Sequence, residues 1–240
     1  MSAHSGIATI TLFKDFYNVG KIMGKTGVWM PLYPDLAKLA SDPKRLMAMA
    51  RAMAKVASPW KPDVIVGPAV RGIVYGLPVA LVLKKPFLFL RAEQKHVHLK
   101  KTLEGEYHKG QRVVVVDDGL ATSDTKKYTV QALQKAGLKV VGVVVFLDAW
   151  QGTTSKLLQR RRAWLTRQPF PIKVIVGWDE CIKVAIEKKF IGRDFGTLMI
   201  SYLRDPYAWL KDARNWQRVK ELAPHEKNVL LHASFKDISV

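Results

Sequence analysis

The chain has 240 residues, of which 48% are hydrophobic, so it is long enough to bury the core of one full domain. No apolar run approaches about 18 residues, which excludes a membrane-spanning helix, and the single cysteine, Cys181, excludes an internal disulfide framework. The 39 basic and 20 acidic side chains give a net charge of +19, which favours anionic ligands or partners.

The first 60 residues are predicted to form a lead-in with one clear helix. Residues 41–57, SDPKRLMAMARAMAKVA, begin with Ser41 as N-cap and Pro43 in the first turn, and their apolar residues have helical spacing. Strand-length apolar runs then alternate with helical segments, which predicts parallel βαβ units with right-handed crossovers. The predicted elements are a strand at 61–67, a helix at 72–84, a strand at 86–91, a loop or hairpin at 92–110, a strand from 113, a helix at 126–137, and strands at 139–148 and 171–177.

The C-terminal part contains two predicted helices, at 180–190 and 205–222, and no clear organisation after Pro224. Basic and aromatic residues interleave here and around the arginine run 160–162. Bases stack on such aromatics in RNA-contact faces, but amphipathic helices that bury tryptophan and expose arginine give the same pattern, and we favour packing or a subunit interface. The residues concerned are Trp164, Arg167, Arg204, Tyr207, Trp209, Arg214, Trp216 and Arg218.

Residues 113–125, VVVVDDGLATSDT, are the most informative stretch. Four valines predict a buried parallel strand, with Asp117 and Asp118 at its carboxyl end, where open α/β sheets bind their ligands. The turn 121–125 opens a helix and presents free backbone N–H groups, which suits a phosphate, while the carboxylates suit ribose hydroxyls. Together they predict a site for a phosphorylated ribose. The alternative is an ordinary strand–turn–helix without a ligand.

Two further segments carry candidate ligand-binding residues. In GPAVRGIVYG, residues 67–76, small residues let the backbone approach a ligand and Arg71 supplies a fork for phosphate oxygens, although a plain strand-to-helix turn has the same composition. Residues 91–110 are rich in Lys, Arg and His. They predict either a cationic loop that closes over a substrate or a solvated charged hairpin. His96 and His98 have no acidic or cysteine cluster beside them, so no metal site built from protein side chains alone is predicted.

The 113–125 stretch resembles the phosphoribosyl-pyrophosphate (PRPP) motif of type I phosphoribosyltransferases, with Ser123 where that family has Gly and Asp124 where it has a small or neutral residue. Residues from about 10 to 153 resemble the orotate phosphoribosyltransferases in particular. The similar segments are GKTGVWMPLYPDLAKLASDPKRL at 24–46, GPAVRGI at 67–73, Arg91 with Lys95, TLEG at 102–105, and LDAWQG at 147–152. Ala92, Val97 and Trp150 depart from the family's motifs.

The resemblance implies an α/β fold of the type I phosphoribosyltransferase class: a twisted parallel sheet with helices on both faces, an N-terminal hood and a C-terminal extension. We expect a phosphoribosyltransferase-like domain at 1–178, with residues 1–60 as the hood or lead-in, and an extension at 179–240. The implied activity is that of a glycosyltransferase. It transfers phosphoribosyl from PRPP to a pyrimidine base, most directly orotate, with Mg²⁺ carried by PRPP as cofactor. A homodimer is implied as well.

Residue roles follow from the same resemblance. We expect Lys95, Asp117, Asp118 and Arg91 to be catalytic, the two aspartates binding the ribose hydroxyls and Lys95 neutralising the leaving pyrophosphate. The expected substrate-binding residues are Lys25, Arg71, Gly72, His98, Ala121, Thr122, Ser123, Asp124 and Thr125.

The alternative function belongs to another class, a catalytically degenerate subunit with a structural or RNA-contacting role in a larger mitochondrial or ribosomal assembly. Ser123, Asp124 and the charge of +19 favour it, although a solvated basic surface also explains the charge. Location is expected to be cytoplasmic, since one cysteine fits a reducing compartment and the first residues lack a secretory signal, with the mitochondrial matrix as the alternative.

Overall fold

The computed structural model describes residues 17–24, 27–91 and 102–223. Its strands are β1 (Tyr17–Met23), β2 (Trp29–Pro34), β3 (Val64–Pro68), β4 (Phe87–Leu90), β5 (Leu103–Glu104), β6 (Arg112–Leu120), β7 (Lys139–Asp148) and β8 (Ile172–Gly177). Its α-helices are α1 (Pro43–Ala57), α2 (Arg71–Leu83), α3 (Asp124–Lys135), α4 (Lys156–Arg162), α5 (Trp178–Glu187), α6 (Arg193–Arg204), α7 (Pro206–Leu210) and α8 (Ala213–Leu222). Short 3₁₀ helices lie at Leu36–Ser41, Ser58–Trp60 and Leu165–Arg167.

A six-stranded sheet in the order β5-β4-β3-β6-β7-β8 forms the centre of one compact unit, residues 40–148 and 161–175. The last two residues of β8 lie beyond the end of this unit in the sequence. Strands β4, β3, β6 and β7 are parallel, and the two-residue β5 pairs antiparallel with β4. The valines of β3 and β6 and Val143, Val144 and Val145 of β7 are buried whichever face they point to, as expected of central parallel strands covered on both faces. The predicted alternation of strands and helices is therefore correct.

The second compact unit combines residues 1–39, 149–160 and 176–240. In its described part, β1 and β2 form an antiparallel hairpin, and the Tyr202 hydroxyl of α6 donates to the Trp29 carbonyl of β2 at 2.9 Å. The rings of Trp150, Tyr202, Trp209 and Trp216 contact one another in sequence. Trp209 is buried, so aromatic packing accounts for this part of the basic-aromatic pattern. The predicted boundary between a domain at 1–178 and an extension at 179–240 stays a prediction.

Local differences from the predicted elements have simple causes. The N-cap of α1 is Asp42 rather than Ser41, because the Asp42 carboxylate accepts from the Lys44 and Arg45 amides. The predicted helix at 205–222 is two helices, since Asp212 caps a new one. None of the helices in the described part of the chain has the length and apolar character needed to cross a bilayer.

Candidate active site

Two adjacent carboxylates lie near the carboxyl end of β6, where the sequence places them. The strand continues past them to Leu120, so Asp117 and Asp118 are held by the sheet and are both buried. Asp117 Oδ1 accepts from the Asp118 amide at 2.9 Å, and Asp118 Oδ1 accepts from the Gly119 amide at 2.7 Å. Each carboxylate is thereby oriented by the backbone that follows it, with its second oxygen turned towards a cation.

Each carboxylate has its own cation. Arg71 Nη1, in the first turn of α2, lies 3.1 Å from Asp118 Oδ2, and Lys126 Nζ lies 2.5 Å from Asp117 Oδ2. The Lys126 ammonium also donates to the Gly119 carbonyl, and its side chain is 4% exposed. Burial raises the pKa of Asp117, and Lys126 opposes that rise.

The sequence prediction missed Lys126, which contacts one of the two carboxylates directly. A lysine in a predicted helix is normally assigned to the solvated face. The sequence did contain one indication of its role: Lys126 directly follows the turn 121–125. It therefore lies in the first turn of α3, close to the strand end that carries the aspartates.

The turn 121–125 does open a helix, since α3 begins at Asp124. Ser123 has φ −81° and ψ −10°, ordinary right-handed backbone, so its replacement of Gly introduces no strain. The Thr122 hydroxyl donates to Asp124 Oδ2 at 2.7 Å, which places the carboxylate against the turn rather than away from it. Thr125 is exposed.

Two of the three arginines at 160–162 contact this turn. Arg161 Nη2 lies 3.2 Å from Asp124 Oδ2, and the Arg161 carbonyl accepts from Ser123 Oγ at 2.6 Å. Arg162 binds Asp148, at the end of β7, through both terminal nitrogens, and its Nη1 lies 3.4 Å from the Ala121 carbonyl. Arg161 and Arg162 thus line the turn, whereas Arg160 is exposed. A role of this run in RNA contact stays a prediction.

The turn between β3 and α2 is closely packed. A Cβ on Gly67 would lie 2.2 Å from the Gly72 carbonyl oxygen, and a Cβ on Gly72 would lie 2.4 Å from Pro68 Cδ. Both glycines are therefore required by the turn itself, and Gly72 has this packing role whether or not it touches a ligand. The Ala69–Val70 peptide bond is cis.

The remaining predicted residues either pair with other groups or lie outside the described residues. Arg91 Nε, just after β4, lies 2.9 Å from Glu104 Oε1. Lys25, Lys95 and His98 lie outside the described residues. Within residues 17–24, 27–91 and 102–223, no three His, Cys, Asp or Glu side chains cluster closely enough to hold a metal ion.

The site joins two buried carboxylates, a guanidinium and the open end of a helix at the carboxyl ends of neighbouring parallel strands. Carboxylates accept hydrogen bonds from sugar hydroxyls, whereas backbone amides and arginines bind phosphate oxygens. The arrangement therefore suits a ligand that carries both kinds of group.

Comparisons with known proteins point the same way. Residues 35–159 match the family model described as the phosphoribosyl transferase domain. The chain is 28% identical over 194 residues to the orotate phosphoribosyltransferase of Listeria monocytogenes serotype 4b, covering 80% of this chain and 86% of the relative. It is 30% identical over 166 residues to that of Caenorhabditis elegans, covering 66% of this chain and 73% of the relative.

Among solved structures, the chain is similar to the UMP synthase of Leishmania donovani. The TM-score is 0.71 at 27% sequence identity, and the match covers 83% of this chain. It covers 42% of the other, so the chain spans less than half the length of that protein.

Proposed function

The chain belongs to the phosphoribosyl transferase domain family, whose model matches more than half of it, and we propose that it is a glycosyltransferase that moves phosphoribosyl from PRPP to orotate. The predicted family and type I phosphoribosyltransferase fold are thereby confirmed. One observation supports the proposed reaction above the others: Asp117 and Asp118 are fixed at the end of β6, immediately before a turn that opens α3. A ribose with a 5′-phosphate fits that sequence of groups.

In the proposed reaction, pyrophosphate leaves the sugar C1 as the base nitrogen attacks, and positive charge develops on the ring. Asp117 and Asp118 accept hydrogen bonds from the ribose hydroxyls, and their negative charge stabilises the developing cation. The amides of the turn 121–125 hold the 5′-phosphate. Arg71 lies within reach of Asp118 and donates to the pyrophosphate, so the two ends of the substrate are fixed on either side of C1.

Mg²⁺ is proposed to arrive with PRPP. Magnesium is usually held by one or two carboxylates together with substrate phosphates, and it neutralises charge on the leaving pyrophosphate. The ion would be held by the phosphate oxygens of PRPP, with Arg71 binding the same pyrophosphate group. Lys95 and His98 stay predicted contributors to the same charge neutralisation.

The test is product formation with a panel of bases. Purified chain is incubated with PRPP, Mg²⁺ and orotate, uracil or hypoxanthine, and nucleotides are separated by chromatography. We expect orotidine monophosphate from orotate, and we expect Asp118→Asn to lower kcat/KM by roughly 100-fold or more, because the lost charge stabilised the transition state. Asp212→Asn, which neutralises a carboxylate of the other unit, is the control and keeps full activity.

A degenerate subunit with a structural or RNA-contacting role is the second candidate. The pairing of Asp117 with Lys126 and of Asp118 with Arg71, together with the charge of +19, supports it. It predicts no nucleotide product with any base and retention of RNA or large partners at moderate salt. Orotidine monophosphate formation that Asp118→Asn abolishes would contradict it.

A further inference from the structure

The arginine run at 160–162 has no part in the reaction as proposed, yet it meets the turn 121–125 at both positions where the motif departs from the family's. Ser123 Oγ donates to the Arg161 carbonyl at 2.6 Å, and the Ser123 amide lies 3.4 Å from the same oxygen. Ser123 is buried. A glycine at this position would lack the hydroxyl that makes the shorter bond, so Ser123 fixes the Arg161 backbone beside the turn.

The second departure, Asp124, meets the Arg161 side chain. Asp124 Oδ2 accepts from the Thr122 hydroxyl at 2.7 Å and from Arg161 Nη2 at 3.2 Å. A hydroxyl and a guanidinium converging on one anionic oxygen form the donor set that a phosphate oxygen requires. The Asp124 side chain is 69% exposed, so solvent and a ligand can reach this position.

Charge explains how Asp124 is compatible with a phosphate at this turn. A carboxylate in the first turn of α3 repels an incoming phosphate, and Arg161 offsets that charge where it arises. A guanidinium carries five N–H donors in a planar fork, so it can hold Asp124 and a phosphate oxygen together.

We propose that Arg161 is a phosphate-binding residue of this chain, positioned by Ser123 and held at the turn by Asp124, and that it binds the 5′-phosphate of the sugar. The inference rests on the proposed function and adds a ligand to that site. It gives Ser123 and Asp124 a role, since they place a charged donor beside the backbone amides of the turn 121–125. It also separates two phosphate positions, one at Arg161 and one at Arg71.

The test is calorimetric titration of the full chain with ribose 5-phosphate and, separately, with magnesium pyrophosphate. We expect Arg161→Ala to weaken ribose 5-phosphate binding by roughly 10- to 100-fold, the range for a lost hydrogen bond between charged groups. Pyrophosphate binding should change less than about twofold, because Arg71 serves that ligand. Arg71→Ala should show the reverse pattern.

Arg160→Ala is the matched control, since it removes the same charge from the neighbouring, exposed residue. It should leave both affinities near those of the wild-type chain. Arg161→Lys keeps the charge without the fork and should bind ribose 5-phosphate with intermediate affinity, which also covers the case that Arg161→Ala folds poorly. Ser123→Ala should weaken ribose 5-phosphate binding by a smaller factor, as expected of a positioning residue.

Equal ribose 5-phosphate affinities of Arg161→Ala and Arg160→Ala would overturn the inference and leave the proposed function intact. An equal loss for both ligands in Arg161→Ala would also overturn it, because a general electrostatic effect would explain that result. Loss confined to ribose 5-phosphate, in a chain that makes no nucleotide from any base, would uphold the phosphate site and overturn the proposed reaction.

Discussion

At the scale of single residues, the site depends on a buried cation beside each carboxylate. Lys126 bonds Asp117 and the Gly119 carbonyl at once, and both side chains of the ion pair are more than nine-tenths buried. Removing one partner of such a pair leaves an uncompensated buried charge, which is more costly than the pair is favourable. Lys126 therefore favours the ionised form of Asp117, against the burial that raises the pKa of this carboxyl.

Lys126→Met should lower the free energy of unfolding by about 3–5 kcal/mol at neutral pH. Burial already raises the Asp117 pKa, and loss of the ammonium raises it further. A carboxyl whose pKa is higher in the folded than in the unfolded chain favours folding at low pH, and that contribution is lost as pH rises through the folded-state pKa. Stability of the variant should therefore fall with rising pH, as measured by denaturant unfolding from about pH 4 to 8.

Lys127→Met provides the comparison for this experiment, because Lys127 is exposed in the same turn of α3. It should show neither the loss of stability nor the added pH dependence. A flat pH profile for Lys126→Met, indistinguishable from that of Lys127→Met, would show that Asp117 does not depend on this ammonium.

The chemistry of these residues was only partly predictable. Two aspartates after a run of valines and before a helical segment define the edge of a parallel sheet by local pattern alone. The sequence did not place Lys126 or Arg161 at this site, because their contacts depend on the tertiary fold and not on any local sequence pattern. The lysine reaches the Gly119 carbonyl of β6, seven residues earlier in the chain, and the arginine reaches a turn 37 residues away.

At the scale of elements, α2 stands out because its sequence, RGIVYGLPVALVL, is apolar on every side. Leu77 and Leu81 lie one turn apart and are exposed, Leu81 by 68%, and Val70 before the helix is exposed as well. A helix that is apolar all round is normally buried in a larger structure. We propose that a second copy of the chain covers this face, which would make the homodimer that the family resemblance implies.

Leu81→Glu should shift the chain from dimer to monomer, since it places a charge in an apolar interface. Sedimentation velocity over a range of protein concentrations measures the change. Leu157→Glu is the control, because Leu157 is a similarly exposed leucine on α4, and it should remain dimeric. A wild-type chain that stays monomeric at high concentration would contradict the proposed interface.

Secondary structure was predicted correctly where the spacing of hydrophobic residues determines the element. It was not predicted where tertiary contacts determine it. Strand β7 has the predicted bounds, because ten residues rich in valine follow the Gly137 turn. Helix α6 was not predicted, because Gly196 in its first turn lowers helix propensity. A Cβ there would lie 2.5 Å from Ile186, so the glycine permits close packing on α5 that only the folded chain shows.

At the scale of the whole molecule, the charge of +19 is the feature that the site explains least. Of the cations at the active site, Arg71, Lys126, Arg161 and Arg162 are each paired with a carboxylate. The excess must therefore be sought elsewhere in the sequence. A basic surface raises the local concentration of any polyanion, so binding experiments require physiological salt and a pyrophosphate control.

The sequence left RNA contact open as an alternative, although it favoured a solvated basic surface and helix packing or a subunit interface. In the described part of the chain, the rings of Trp150, Tyr202, Trp209 and Trp216 contact one another in tilted and edge-to-face pairs, which favours helix packing as the origin of the aromatic pattern. The sequence predicts that tryptophan and arginine share a helix, but it does not show which aromatic ring each tryptophan contacts in the folded chain.

The most direct measurement is calorimetric titration of the wild-type chain with PRPP in the presence and absence of Mg²⁺ at physiological salt, because it asks whether a phosphate turn with Ser123 and Asp124 still accepts this ligand. We predict saturable, Mg²⁺-dependent binding at micromolar concentration, at least tenfold tighter than that of pyrophosphate, since the sugar and its 5′-phosphate add contacts at Asp117, Asp118 and the turn. Binding no tighter than that of pyrophosphate, or unaffected by Mg²⁺, would contradict a working phosphoribosyltransferase site.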